Sequence, residues 1–218
     1  MFKTLQPLIL ASESPRRKRL LESAGVRFLV KPSRIDESVE DDGSGEGAGT
    51  QPAGERGKSR ISPVKNPAEI AERCACLKAN TISTLHRDSW ILGADTIVVC
   101  DGHIFGKPCE RAHAVRMLQA LSGRLHEVIT GMCLIRPGGK LSRSGSVTTL
   151  VRFKDLSTRE IEAYVRTAEP MDKAGAYGIQ GIGAFLVRSL EGSYTNVVGL
   201  PLCQTIEWLM NENIIEPE

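Results

Sequence analysis

Pro7-Leu8-Ile9-Leu10-Ala11-Ser12-Glu13-Ser14-Pro15-Arg16-Arg17 passes from an uninterrupted apolar run into a helix start within a few residues. Pro7–Leu10 reads as a buried strand. Ser14-Pro15 reads as the opening of a helix, because proline lacks the N–H that would be unbonded there and serine is a preferred cap. A strand that feeds directly into a helix is the repeating step of α/β folds. The same junction gathers two serines and two arginines where free backbone N–H groups and the positive end of a helix dipole favour an anion. Arginine adds planar, two-pronged recognition of phosphate. The stretch has the make-up of a phosphate socket.

Outward from this stretch, strand and helix signals alternate. The first helix runs over Pro15–Ala24 and stops at Gly25. Val26–Val30 follows as a strand. Asn66-Pro67-Ala68-Glu69 opens a second helix with a capping side chain and an acid three residues on, and apolar spacing carries it to about Thr81. Trp90–Cys100 is a long strand turned by Asp101-Gly102, a strong hairpin signal. Glu110–Leu121 is helical and closed by Gly123. Val128–Ile135 and Ser146–Phe153 are strands around Pro137-Gly138-Gly139. Ser157-Thr158-Arg159-Glu160 is a capping box whose helix ends before Pro170. A glycine-rich loop then precedes a strand over Ala184–Leu190, and a last helix begins near Pro201. The pattern predicts an α/β fold with a mixed, twisted sheet and flanking helices.

A chain of 218 residues with 41% hydrophobic content can bury a core of its own and reads as one domain over 1–218. Asp41–Ser62 breaks the periodicity with glycines, serines and almost no apolar residues, and reads as a flexible insertion. Its Gly57-Lys58-Ser59 imitates a P-loop, but Pro52 stands where that motif needs glycine and no strand precedes it. Net charge is only +2, and the basic run Arg16–Arg19 has no interleaved aromatics, so neither nucleic acid nor a membrane surface is indicated as a partner. No apolar stretch approaches the ~20 residues of a membrane span, and Met1–Leu10 makes a poor secretory signal. The six cysteines are scattered, and Cys74 and Cys76 would point roughly 200° apart on a ~3.6-residue turn, which argues against chelation. Reduced thiols in a cytoplasmic protein are the expectation.

Candidate chemistry centres on Asp95, a carboxylate inside an apolar strand that is costly to desolvate unless paired, metal-bound or functional. A structural Asp accepting backbone hydrogen bonds is the alternative. Lys107 lies between Gly106 and Pro108, just after the hairpin, and Lys78 lies on the preceding helix. With Arg16 and Arg17 they form a set of cations gathered at strand–helix junctions, as a polyphosphate requires. Asp172-Lys173-Ala174-Gly175-Ala176-Tyr177-Gly178-Ile179-Gln180-Gly181 is rich enough in glycine to let backbone approach a ligand, and Gln180 offers a donor and an acceptor for a base edge. The four histidines are not spaced as a metal cluster, and no nucleophile elbow or His-Glu-x-x-His motif occurs.

Ser12-x-Ser14-Pro15-Arg16-Arg17, Gly93-Ala94-Asp95-Thr96, Gly106-Lys107-Pro108, the 172–181 segment and Asn196-Val197-Val198-Gly199-Leu200-Pro201 together resemble the Maf family of nucleoside triphosphate pyrophosphatases. The resemblance covers nearly the whole chain apart from Asp41–Ser62. It implies a fold similar to that of the inosine triphosphate pyrophosphatases, with two α/β lobes flanking a cleft. It implies hydrolysis of a nucleoside triphosphate to monophosphate and pyrophosphate, with Mg²⁺ or Mn²⁺ as cofactor.

Carried over by motif, Asp95 becomes the proton acceptor and, with Glu37, a metal ligand. Ser12, Arg16, Arg17, Lys78 and Lys107 hold the phosphates, and Arg16, Thr96 and Gln180 set base preference. That trio resembles the subgroup acting on dTTP and UTP. The family often has Arg-Glu before the helix lysine, where this chain has Cys76 and Leu77. The competing reading is a nucleotide-binding regulator of cell division that does not turn over its ligand. The sequence does not fix the oligomeric state and leaves a homodimer open.

Overall fold

The computed structural model describes residues 1–33 and 66–218. Glu37 and the Asp41–Ser62 insertion lie outside the described residues. The chain runs through β1 (Phe2–Thr4), β2 (Leu8–Leu10), α1 (Pro15–Ser23), β3 (Leu29–Val30), α2 (Pro67–Ser83), β4 (Trp90–Cys100) and β5 (His103–Phe105). It continues through α3 (Arg111–Leu121), β6 (Leu125–Arg136), β7 (Lys140–Phe153), α4 (Thr158–Arg166) and β8 (Val187–Glu191). The C-terminal elements are α5 (Tyr194–Val198), α6 (Leu202–Asn211) and β9 (Ile215–Pro217).

The main sheet has the order β3-β2-β4-β6-β7-β8, with β5 attached to β4. β2 is parallel to both β3 and β4, while β4, β6, β7 and β8 form antiparallel pairs. The expected mixed α/β sheet is present. β4 begins and ends where the sequence predicts, because Asp101 (φ 50°) and Gly102 (φ 79°) turn it sharply into β5.

Residues alternate across β4, and the alternation sorts the core. Trp90, Leu92 and Ala94 join β2, α1 and α6 in one apolar cluster, and Val98 and Cys100 join α3 and α4 in a second. Both clusters lie on one face of the sheet, on either side of Thr96. On the opposite face Ile91, Ile97 and Val99 pack against Ala71, Ala75, Ala79 and Ile82 of α2. Asn66 caps α2 by accepting from the Glu69 N–H, and Ser157 with Glu160 forms the predicted capping box of α4.

Several elements depart from the sequence reading. Ser14 holds the cap position of α1 without a side-chain cap bond; its own N–H instead donates to Ser12 Oγ at 3.3 Å. Ala184–Leu186 belongs to a 3₁₀ segment, Gly181–Leu186, so the strand begins only at Val187. The strand around 26–30 shrinks to two residues. β6 and β7 extend to Leu125–Arg136 and Lys140–Phe153 as one long hairpin. β1 pairs antiparallel with β9, joining the two ends of the chain.

Candidate active site

β4 carries β6 along one edge, through Ile91–Val99. Its other edge is shared: β2 covers Trp90–Leu92 from one end and β5 covers Val98–Cys100 from the other. Between them, the edge of Gly93–Ile97 has no strand partner among the described residues. β2 and β5 run toward this notch from opposite directions, so Ser12 and Lys107, each two residues past its strand, arrive at the same opening. β2 is also the point where the sheet order reverses, with β3 on one side and β4 on the other. Crevices of that kind, at the carboxyl ends of parallel strands, are where open α/β sheets bind ligands. Asp95 and Thr96 sit at the centre of the notch.

The two residues point to opposite faces. Asp95 faces α2, where Lys78 Nζ donates to its Oδ1 at 2.5 Å. Both side chains are largely buried, with 6% exposure for Lys78 and 14% for Asp95. The contact depends on α2 lying unusually close to the sheet. A Cβ on Gly93 would sit 2.3 Å from the Ala75 carbonyl oxygen, and one on Gly131, opposite Asp95, would sit 2.2 Å from the Ala71 carbonyl carbon. Two glycines facing a stripe of alanines bring Lys78 within reach of the carboxylate. Asp95 is therefore a paired buried charge, which removes the desolvation problem posed by the sequence.

Thr96 faces α1 and the α5–α6 junction. Its hydroxyl lies 3.0 Å from Arg17 Nη2 and 2.9 Å from Thr130 Oγ1. Arg17, only 8% exposed, also donates to Ser12 Oγ at 2.9 Å and to the Gly199 carbonyl at 2.7 Å. Thr130 donates to the Asn196 carbonyl, and Asn196 Nδ2 donates to the Val128 carbonyl and to Thr149 Oγ1. Arg17 thus fastens α1, β4 and the Asn196–Leu200 segment together from the inside.

Arg16 stands apart from this bracket. It donates to Asp172 Oδ2 at 3.0 Å with 24% of its side chain exposed. Partial burial pushes the Asp172 carboxyl up, but Lys173 and Arg16 outweigh it and hold the group below the usual carboxylate range. The glycine-rich segment is no slack loop. It forms 3₁₀ turns at Glu169–Asp172, Ala174–Ala176 and Gly181–Leu186. Gly175 N–H donates to the Gly106 carbonyl, which brings the segment to the Lys107 side of the notch. Gln180 is exposed within it.

The structure therefore places Ser12, Arg17 and Thr96 in one contact network, Lys78 with Asp95 in a second, and Arg16 with the 172–181 segment in a third. All three meet around the β4 notch, while Arg17 and Lys78 work from opposite faces of the sheet. Sequence reading missed Thr130, and with it Tyr164 and Glu169, whose side chains bond the Gly178, Ile182 and Gly183 N–H groups. The alternation of β6 opposite Thr96 is a signal that points to Thr130, whereas Glu169 has none beyond being an acid near the glycine run.

An apolar hollow of about 590 Å³ between Phe2, Ala24, Leu202, Ile206 and Met210 contains none of the candidate residues. No helix of the described residues is long and apolar enough to cross a membrane.

The dTTP/UTP pyrophosphatase of Symbiobacterium thermophilum is 45% identical over 205 residues, spanning 94% of this chain and 93% of its own. That of Desulfotalea psychrophila is 41% identical over 215 residues, 99% of both chains. That of Geobacter sulfurreducens is 48% identical over 202 residues, 92% of this chain and 93% of its own. Among solved structures, the nucleoside-triphosphatase / dITP/XTP pyrophosphatase of Mycobacterium abscessus is similar over 95% of both chains, with 15% identity and a TM-score of 0.39. The family model described as Maf-like protein matches residues 7–212, and with relatives this similar over nearly their full length the chain belongs to the Maf-like family.

Proposed function

We propose that this protein is a nucleoside triphosphate pyrophosphatase that hydrolyses dTTP and UTP, or modified pyrimidine counterparts, to the monophosphate and pyrophosphate in nucleotide-pool house-cleaning. The relatives' shared name supports the substrate class. The observation that carries the reading is the buried Asp95–Lys78 pair at the stretch of β4 edge that no strand of the described residues covers, flanked by the ends of β2 and β5.

In this mechanism Asp95 accepts the proton of the water that attacks the α-phosphorus. Lys78 donates to Oδ1, so the proton goes to Oδ2. A positioned general base contributes ~10²–10⁴-fold, whereas enzymes reach at least ~10⁶-fold. The remainder comes from charge neutralisation as pyrophosphate leaves, to which Arg16 and Lys107 contribute and which a bound divalent ion would assist. Arg17 works from inside, holding Ser12 and the first turn of α1 so that its N–H groups face the phosphates. Thr96 acts through Arg17, and the exposed Gln180 reads the base edge.

Mg²⁺ at phosphate sites takes one or two carboxylates, several waters and the phosphates themselves. Among the described residues no group of three His, Cys, Asp or Glu side chains gathers. Asp95, a hard oxygen donor, fits the protein's share of such a site, with Glu37 as the second candidate ligand. Bound Mg²⁺ or Mn²⁺ would polarise the phosphates and stabilise the departing charge. The six cysteines form no disulfide among the described residues, in keeping with action in the cytoplasm.

Incubation of the protein with UTP, dTTP, CTP and GTP and Mn²⁺, with quantification of pyrophosphate and monophosphate, tests the reading. Pyrophosphate in equal amount to UMP or dTMP is expected. Nucleotide binding without product would return the protein to the regulator class.

A further inference from the structure

Gln180 is the cap residue of the 3₁₀ segment Gly181–Leu186. The first N–H groups of such a segment have no partner within it, and a Ser, Thr, Asp or Asn at the cap position ordinarily folds back onto them. The Gln180 side chain makes no such bond. Its place is taken from outside. Ile182 N–H donates to Glu169 Oε2 at 3.0 Å and Gly183 N–H donates to Glu169 Oε1 at 2.9 Å. The Tyr164 hydroxyl, in a residue 1% exposed, donates to the same Oε1 at 3.0 Å and accepts from Gly178 N–H at 3.2 Å. Both ends of the Gly178–Gly183 bend are fastened to one carboxylate–phenol pair, and Gln180 lies between them.

The fit is tight. A Cβ on Gly183 would fall 2.4 Å from the Tyr164 hydroxyl oxygen. Ala168, just before Glu169, takes a left-handed φ of 62° that turns the chain toward the bend. Partial burial raises the Glu169 carboxyl, but the Gly183 and Ile182 N–H groups and the Tyr164 hydroxyl outweigh it, so the group sits below the usual carboxylate range and remains an acceptor on both oxygens.

We propose that Glu169, supported by Tyr164, is a positioning residue for base selection: by capping the Gly181–Leu186 turn from outside it leaves the Gln180 carboxamide for the nucleobase. The inference rests on Gln180 reading the base. Glu169 serves two N–H donors with two different oxygens, so Glu169→Gln keeps shape but puts an NH₂ against one of them. The bend then shifts, or Gln180 folds back as its own cap.

The test measures kcat/KM of the full chain for UTP, dTTP, CTP and GTP, together with Tm, for the wild type, Glu169→Gln, Tyr164→Phe and Gln180→Ala. Displacement of a positioned group by about 1 Å costs on the order of 10²-fold, so Glu169→Gln is expected to narrow the preference for UTP over CTP by about ten- to a hundredfold. Tyr164→Phe, which keeps the ring in the core, narrows it less and decides the matter if Glu169→Gln does not fold. A merely structural role lowers Tm and slows every nucleotide equally; an unchanged ratio in both variants while Gln180→Ala narrows it overturns the proposal. If Gln180→Ala itself leaves the ratio unchanged, the base-reading role fails and the proposal falls with it.

Discussion

Replacing Lys78 by methionine isolates the contact on which the site is built. Methionine keeps the length and apolar stem of lysine but removes the ammonium, leaving Asp95 as a carboxylate with 14% exposure on the α2 face of the sheet. Removing one partner of a buried pair destabilises by about 3–5 kcal/mol, because the other charge is left desolvated. For a domain of 150–250 residues each kcal/mol moves Tm by roughly 2–4 °C, so Lys78→Met should melt about 6–20 °C below the wild type. Asp95→Asn removes the charge that Lys78 meets at Oδ1 and should also destabilise. The double variant buries neither charge, so its loss should fall short of the sum of the singles by about 2 kcal/mol or more. Urea unfolding of the four proteins, read by tryptophan fluorescence and circular dichroism, gives the cycle. Strict additivity, or single losses under about 1 kcal/mol, would refute the claim that the two side chains form one buried unit.

Acid should weaken the fold through His126. Burial pushes its imidazole down from 6.5 to about 4, so the folded state keeps it neutral where the unfolded chain takes up a proton. The contribution is intact above pH ~6.5 and declines as pH falls toward ~4, by about 3 kcal/mol in all; urea midpoints from pH 7 to 4 should show the slope, and His126→Leu should remove that part of it. Thr96→Val deletes the hydroxyl between Arg17 and Thr130. It should cost about 1–3 kcal/mol and lower kcat/KM for all four nucleotides alike, since Thr96 acts through Arg17. A change confined to the UTP:CTP ratio would show direct contact with the base instead.

Elements with local signals at both ends were legible in the sequence. β4 has polar residues before Trp90 and a turn that demands two left-handed residues after Cys100. The α2 and α4 starts carry their caps. β1 and β9 were not legible, because three residues at each end of the chain pair only when the fold brings them together. Ala184–Leu186 is apolar like a strand, but Glu169 fixes the preceding N–H groups in a 3₁₀ turn.

The site was legible as a set of residue types rather than as an arrangement. Asp95 stood out because a carboxylate inside an apolar strand requires a partner. That the partner is Lys78, on the other side of the sheet from Arg17, depends on how closely Gly93 and Gly131 admit α2. No local pattern encodes that approach. Arg17 reads as a phosphate ligand in sequence; the packed structure adds that three of its five guanidinium N–H groups bond Ser12, Thr96 and Gly199, which no local pattern encodes.

Hydrolysis of UTP and dTTP in H₂¹⁸O, with Mn²⁺ and with the wild type and Asp95→Asn side by side, tests the central chemistry most directly. Attack of water on the α-phosphorus predicts ¹⁸O in UMP and dTMP with none in pyrophosphate, and a loss of about 10²–10⁴-fold in turnover for Asp95→Asn while nucleotide binding persists. Label in pyrophosphate or orthophosphate, or undiminished turnover in Asp95→Asn, would contradict it.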